Sequence, residues 1–266
     1  MASNPLIIFG VAGRMGQSLI SALREGSTFH LRGAIASAAS SRLGQDAALE
    51  GPPTDIKITS DPSAVLSPGG VALDFSVGSA VAAHARACAA AGVPLLVGAT
   101  GFDAAAKTEL ERAAKAIPVL VAPNTSVGVA VLSRLVAEAA AALGEAYDIE
   151  ISEAHHRNKR DAPSGTALSL GEAIAKARNV SINDVAVFDR HGQEARRTPG
   201  SIGFSVVRAG DIVGEHTVTF AGAGERLEFI HRATDRMTFA RGALRAAAWL
   251  LGRPAGLYGM KDVLFL

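Results

Sequence analysis

Leu6-Ile7-Ile8-Phe9-Gly10-Val11-Ala12-Gly13-Arg14-Met15-Gly16 is the stretch that decides the fold. Four apolar residues in a row, closed by a glycine, predict a buried strand. A helical pattern follows from about residue 14 to 25. Glycines at such a junction let the backbone turn tightly and come close to a pyrophosphate. The free N–H groups and positive dipole end of the helix then favour an anion. The spacing departs from a strict G-x-G-x-x-G, because Ala12 stands in the middle position.

Outward from this junction the chain keeps alternating. Strands are predicted at 31–37, 71–75, 94–97 and 118–121, with helices at 79–91 and 104–116 and a loop at 38–54. Such alternation implies a parallel sheet covered by helices on both faces. After a helix at 128–143 the character changes. A strand at 148–153 and a helix at 165–178 are followed by three strands, near 202–209, 212–220 and 225–231, with little between them. Grouped strands suggest an antiparallel or mixed sheet, hence a second domain. Helix returns at 236–251, and the tail from Gly256 reads as short and mixed. The expected class is α/β: a Rossmann-like doubly wound sheet with an inserted α+β domain.

Composition narrows the function. Hydrophobic residues make up 48% of the 266, but aromatics only 5%, so the core is built from Ala, Val, Leu and Ile. Stacked aromatic platforms for single-stranded nucleic acid are not expected. A net charge of +1 without long basic runs argues against phosphate-backbone binding, so no nucleic-acid partner is expected. The one cysteine, Cys88, excludes an intrachain disulfide and a thiolate metal cage, and reads as a small buried filler. No signal peptide is visible at the N-terminus, and Ala-rich stretches such as 80–91 are too short and interrupted for a membrane span. A cytoplasmic protein with no membrane partner is the expectation.

Three further segments fit a dinucleotide site. Dinucleotide sites often carry an acid after the second strand for the ribose 2′-OH. Here Ser37 stands in that region, followed by Ser40, Ser41 and Arg42, and no carboxylate is present. A 2′-phosphate would meet no repulsion, so NADPH is tolerated. Gly98-Ala99-Thr100-Gly101-Phe102 and Ala122-Pro123-Asn124-Thr125-Ser126-Val127 follow the next two strands. In doubly wound sheets ligands sit beyond such strand ends.

The densest chemistry is Glu153-Ala154-His155-His156-Arg157-Asn158-Lys159-Arg160-Asp161-Ala162-Pro163-Ser164-Gly165-Thr166-Ala167. Adjacent His155 and His156 on extended backbone point opposite ways, so a shared metal is not expected. One would titrate while the other binds. Lys159 offers a fixed charge or a second proton donor. Ser164 is a good N-cap, and the N–H groups of the helix that it opens form a carboxylate site. His84, His191, His216 and His231 look isolated and read as structural or surface residues.

With these residues in view, the chain resembles the dihydrodipicolinate reductase family over essentially its whole length. The family pattern G-x-x-G-R-M-G is Gly10 to Gly16, and E-x-H-H-x-x-K-x-D-x-P-S-G-T-A is met at every fixed position from Glu153 to Ala167. Arg208 to His216 and Gly224 to Glu228 are similar to later family segments. The resemblance implies an NADPH- or NADH-dependent reductase of diaminopimelate and lysine biosynthesis. Its substrate would be hydroxylated tetrahydrodipicolinate, which loses water to give a conjugated cyclic imine that takes hydride at ring carbon 4. It implies His155 as proton donor, Lys159 as second donor and carboxylate partner, and His156, Ser164, Gly165 and Thr166 as substrate-binding residues. It also implies a cofactor site at Gly10, Val11, Ala12, Gly13, Arg14, Met15, Ser37, Gly98, Ala99, Thr100, Ala122, Pro123, Asn124 and Thr125, and no metal. The dinucleotide domain would span 1–126 and 236–266. The substrate and oligomerisation domain would span 127–235 and build a homotetramer through strands carrying Ile202, Phe204 and Val206.

The chain departs from the family at two places. Members often carry an acid followed by Arg where Ser37 and Ala38 stand, and the pattern G-T-T-G-F has Ala99 for its first threonine. Two rivals share the fold class. A semialdehyde dehydrogenase needs a catalytic thiol, and Cys88 has no companion motif. A nucleotide-sensing regulator has no need of a proton donor beside a dicarboxylate pocket.

Overall fold

The first strand, β1 (Asn4–Phe9), is buried along Leu6 to Phe9 and runs straight into helix α1 (Arg14–Arg24). The computed structural model describes residues 3–265. The expectation about the N-terminus falls partly on Met1 and Ala2, which lie outside the described residues. The chain divides into two units, Met1–Val127 with Arg236–Leu266, and Gly128–Asp235.

In the first unit β2 (Phe29–Ile35), β3 (Ile58–Thr59), β4 (Val71–Asp74), β5 (Leu95–Val97) and β6 (Pro118–Val121) follow β1. Helices α2 (Val81–Ala91) and α3 (Ala104–Ala113) connect the later ones. Ile7 and Phe9 of β1 pack with Val81, Ala85 and Cys88 of α2 and with Leu110 and Ala113 of α3. Alternation along the strand turns Leu6 and Ile8 to the other face. Cys88 is fully buried there, and burial pushes its thiol up, which suits a filler.

The second unit begins as α4 (Val127–Leu143) leaves the first, and continues with β7 (Asp148–His155), α5 (Gly165–Ala177), α6 (Ile182–Val185) and β8 (Ala186–Val187). Then come β9 (Ile202–Arg208), β10 (Gly214–Gly222) and β11 (Glu225–Ala233). The sheet order is β11-β10-β7-β9-β8, antiparallel on the β10 side and parallel on the β9 side. Ile202 and Phe204 are buried in this unit's own core with Leu170 and Ile174 of α5, so they are not interface residues as expected. Val206, the third of the expected residues, is exposed, as are Val207, Leu227 and Ile230 on these strands.

The chain returns with α7 (Met237–Leu250), β12 (Gly256–Tyr258) and α8 (Met260–Phe265). The all-parallel sheet of the first unit has the order β12-β6-β5-β4-β1-β2-β3. Strand order therefore reverses between β1 and β4, which opens a crevice beyond their carboxyl ends. Helix α7 docks so closely that a Cβ on Gly242 would fall 1.9 Å from the Thr125 carbonyl.

Two expectations need correction. The tail is not merely mixed: β12 pairs in parallel with β6 as the edge of the sheet. The segment Val127–Ala146 is also long and apolar enough to cross a membrane by length and composition, with mean hydropathy 1.6. Its alanines raise that average. The helix buries a single stripe, Val129, Leu132, Val136 and Ala140, and pairs Arg134 with Glu138 at 2.7 Å on its exposed side. This is the pattern of a helix packed on a core by one face.

Candidate active site

The turn after β1 fits a dinucleotide. Gly10 has φ +78°, and a Cβ there would meet the Phe75 carbonyl at 2.7 Å. A Cβ on Gly16 would fall 2.3 Å from the Val11 carbonyl, so α1 and the turn touch backbone to backbone. Helix α3 is capped by Asp103 and α5 by Ser164, but the Gly13 N-cap of α1 has no side-chain hydrogen bond. Its N-terminal donors are left for a ligand. A cavity of about 580 Å³ lies over this turn, lined by Gly10, Ala12, Gly13, Ser37, Ser40, Ser76 and His84 among others. No carboxylate lines it, which leaves a 2′-phosphate unopposed. Arg42 does not line it either, and hydrogen-bonds Gln45.

The other predicted cofactor residues follow the neighbouring strands. Val11 is fully buried and its N–H donates to the Ile35 carbonyl, while Arg14 and Met15 open α1. Gly98 and Ala99 donate their N–H groups to the Asp74 carbonyl, leaving Thr100 exposed. Ala122 donates to the Val97 carbonyl, and the Thr125 hydroxyl is spent on the Phe239 carbonyl at 2.7 Å. Pro123 and Asn124 lie between them, exposed and half-buried. A carboxylate that the sequence did not flag sits at the end of β4. Asp74 is fully buried, takes hydrogen bonds from the Ser76 N–H and hydroxyl, and pairs with His84 Nδ1 at 2.8 Å. His84, stacked on Phe9, is therefore not isolated as expected.

The second unit gathers the polar cluster around Glu153. Its side chain is 1% exposed and receives four donors: Arg208 through both terminal nitrogens at 2.7 and 2.8 Å, His155 Nδ1 at 2.6 Å, and the Ser164 N–H at 2.9 Å. Burial alone would raise the Glu153 carboxyl, but these hydrogen bonds outweigh it and hold the group below the usual carboxylate range. An ionised carboxylate only accepts, so the proton of neutral His155 sits on Nδ1. That leaves Nε2 as the exchanging atom. A Cβ at Gly214 would come within 3.0 Å of Nε2, so a glycine there keeps that side clear. Burial is the largest influence on His155 and lowers it, Glu153 opposes, and the net direction is downward. Lys159 and Arg208 push the same way. A dianion placed beside them would offset both cations and favour the imidazolium.

The remaining predicted residues fall around this centre. His156 is half-buried just beyond β7 and begins a turn in which the Lys159 N–H donates to its carbonyl. Lys159 Nζ lies 2.8 Å from Asp161 Oδ1. Ser164 is buried and caps α5 by accepting from the Ala167 N–H, while Gly165 is exposed and Thr166 half-exposed at the helix start. Sequence reading missed two members. Arg208 lies opposite His155 in the β7–β9 register. His216 lies opposite Glu153 in the β7–β10 register, and is not the isolated residue expected. Its Nε2 is 3.0 Å from the Ser164 hydroxyl, and its ring meets that of His155 edge-on at 5.2 Å. Burial pushes His216 down to about 4, with the nearby His155 adding to the effect. Among the described residues no group of three or more His, Cys, Asp or Glu could hold a metal. A second cavity in this unit, about 540 Å³, is lined by none of the predicted residues.

Comparison with known proteins agrees over the full chain. A model of the family described as "Dihydrodipicolinate reductase, N-terminus" matches residues 4–125, and its C-terminus counterpart matches 128–264. A 4-hydroxy-tetrahydrodipicolinate reductase from Anaeromyxobacter dehalogenans is 47% identical over 263 residues, covering 98% of this chain and 97% of its own. One from Burkholderia cenocepacia is 49% identical over 262 residues, with 98% and 99% covered. Among solved structures, a dipicolinate-bound dihydrodipicolinate reductase from Paenisporosarcina sp. TG-14 superposes with TM-score 0.76 at 21% identity, covering 98% and 100%.

The buried histidine has a measurable consequence. The folded protein refuses a proton that the unfolded chain accepts below pH about 6.5, and His216 takes one only near pH 4. Its contribution to stability is intact above 6.5 and is lost as pH falls between those values. Chemical denaturation should show about 2 kcal/mol lost from this source by pH 5, at about 1.4 kcal/mol per pH unit. In His216→Phe that part of the acid limb should flatten, and an unchanged slope would assign the loss to other groups.

Proposed function

The chain belongs to the dihydrodipicolinate reductase family, and we infer that it catalyses the NAD(P)H-dependent reduction of 4-hydroxy-tetrahydrodipicolinate to tetrahydrodipicolinate. This is a step of diaminopimelate and lysine biosynthesis. The observation that carries the reading is a histidine with one nitrogen locked and the other free, next to a lysine and the start of α5. Dipicolinate, the ligand of the related solved structure, is a dicarboxylate of the kind such a start would bind.

In this reading the first unit holds the cofactor. Reduced nicotinamide bound there would supply a hydride to ring carbon 4 of the conjugated imine that forms once the hydroxylated substrate has lost water. Gly10 to Met15 would hold the pyrophosphate on the uncapped start of α1. Ser37 would serve the ribose, and the loops Gly98–Thr100 and Ala122–Thr125 would hold the nicotinamide half. Substrate is held by the second unit. Lys159, His156, the Ser164 hydroxyl and the N–H groups of Gly165 and Thr166 take the two carboxylates. Charged partners suit this task, since hydrogen bonds to an ionised acceptor are about twice as strong as neutral ones. Electron density arriving in the conjugated imine must be quenched by a proton, which His155 delivers from Nε2 while Nδ1 stays on Glu153. Lys159 supports it as a second donor. The protein works in the cytoplasm as a homotetramer, with the exposed apolar residues Val207, Leu227 and Ile230 on the strands that meet.

Steady-state kinetics on freshly made synthase product test the roles. His155→Ala should lower kcat by roughly 10²–10⁴-fold with a smaller change in KM. Lys159→Ala should lower kcat and raise KM together, and Lys159→Arg should not restore full activity, because it changes the hydrogen-bond geometry at the same charge. Cofactor affinity, read by nicotinamide fluorescence, should stay near wild type in all three. Near wild-type turnover of His155→Ala across pH 6 to 9 would remove it as the acid.

On the cofactor side, NADPH should serve at least as well as NADH, since no carboxylate lines the cavity by Ser37. Ser37→Asp should shift kcat/KM toward NADH. A strong NADH preference in the wild type would show that another acid fills that role.

A further inference from the structure

The loop between β7 and α5 carries a carboxylate that the reaction does not call for. Asp161 Oδ1 lies 2.8 Å from Lys159 Nζ. That ammonium is one of the donors assigned above to a substrate carboxylate. The ion pair is lopsided: the Lys159 side chain is 21% exposed, that of Asp161 58%. The backbone at Asp161 is anchored, because its carbonyl accepts Arg208 Nη2 at 2.6 Å, and Arg208 is itself fixed on buried Glu153. A fixed backbone with a half-exposed side chain lets the carboxylate swing to water without disturbing the loop.

We propose that Asp161 is a built-in stand-in for the substrate's carboxylate, occupying Lys159 until the dicarboxylate displaces it. This rests on the substrate site proposed above and adds how that site is kept when empty. Burial alone would raise the Asp161 carboxyl, but the bonds from Lys159 and the backbone N–H groups outweigh it, so the stand-in is ionised at neutral pH. The lysine is thereby held in the geometry that a carboxylate needs. Displacement is cheap. A partly exposed ion pair is worth only about a five-fold factor in an equilibrium constant. A site open for a fraction of the time binds its ligand more weakly by that fraction.

Calorimetric titration of dipicolinate into the full-length protein saturated with NADH tests this. Asp161→Asn keeps the shape and loses the charged occupant, and should bind dipicolinate roughly three- to five-fold more tightly, with KM for substrate falling by a similar factor. The affinity for NADH should not move. Weaker or unchanged dipicolinate binding in Asp161→Asn would overturn the proposal, since a merely structural role predicts loss. A crystal structure of the wild type with dipicolinate separates occupancy from the general effect of removing a negative charge. Asp161 should have left Lys159, whose Nζ should then contact the ligand, and an intact Lys159–Asp161 pair beside bound dipicolinate would overturn it as well. Lys159→Ala is the control on the site itself. If it binds dipicolinate as the wild type does, the site assignment and the stand-in fall together. If it weakens binding while Asp161→Asn does not tighten it, only the stand-in falls.

Discussion

A carboxylate buried to 1% exposure needs every lone pair answered, and at Glu153 that requirement organises the second unit. An unpaired ion at that depth would cost several kcal/mol, and removing one partner of a buried pair typically costs about 3–5 kcal/mol. The answers come from three elements. Arg208 reaches in from β9, His155 stands two residues along β7 itself, and the Ser164 N–H comes from the start of α5. The need to satisfy one charge thus draws the proton donor, the helix that offers N–H groups and the parallel neighbour strand to a single point. The same bond that fixes the His155 ring also fixes its tautomer, so positioning and acid–base state are set together.

The first unit uses the same device with a lighter touch. Asp74 is fully buried at the carboxyl end of β4, where Ser76 and His84 satisfy it. The two donors line the cavity over the glycine turn while the charge lies beneath it. Around this the fold is conventional in its physics. A parallel sheet needs both faces covered, so β1 is apolar from Leu6 to Phe9 and β4 from Val71 to Leu73, and close approach at Gly10, Gly16 and Gly242 is possible only without a Cβ.

What the sequence made legible is what is local. The strand-to-helix junction at Gly10 to Gly16, the alternation that follows it and the cluster from Glu153 to Thr166 are contiguous, and each was readable from its own neighbours. His216 was not, because it stands 52 residues from Ser164 and meets it only through the register that sets it opposite Glu153. Arg208 was hidden likewise, across the parallel β7–β9 pairing. Ile202 and Phe204 show the converse error. Alternation told that one face of β9 is apolar, but not that α5 already covers it. Strand β12 escaped notice because it is three residues long and leaves Leu257 exposed, too short for periodicity to register.

The central claim is that Glu153 sets the acid by its charge, and Glu153→Gln removes that charge while keeping the shape. The pH dependence of kcat, measured beside circular dichroism and NADH affinity, reads the effect. The account predicts a fold and cofactor affinity close to wild type and kcat lowered by roughly 10-fold or more, because the His155 tautomer and ring position are released. Wild-type kcat across pH 6 to 9 in a folded Glu153→Gln protein would contradict it.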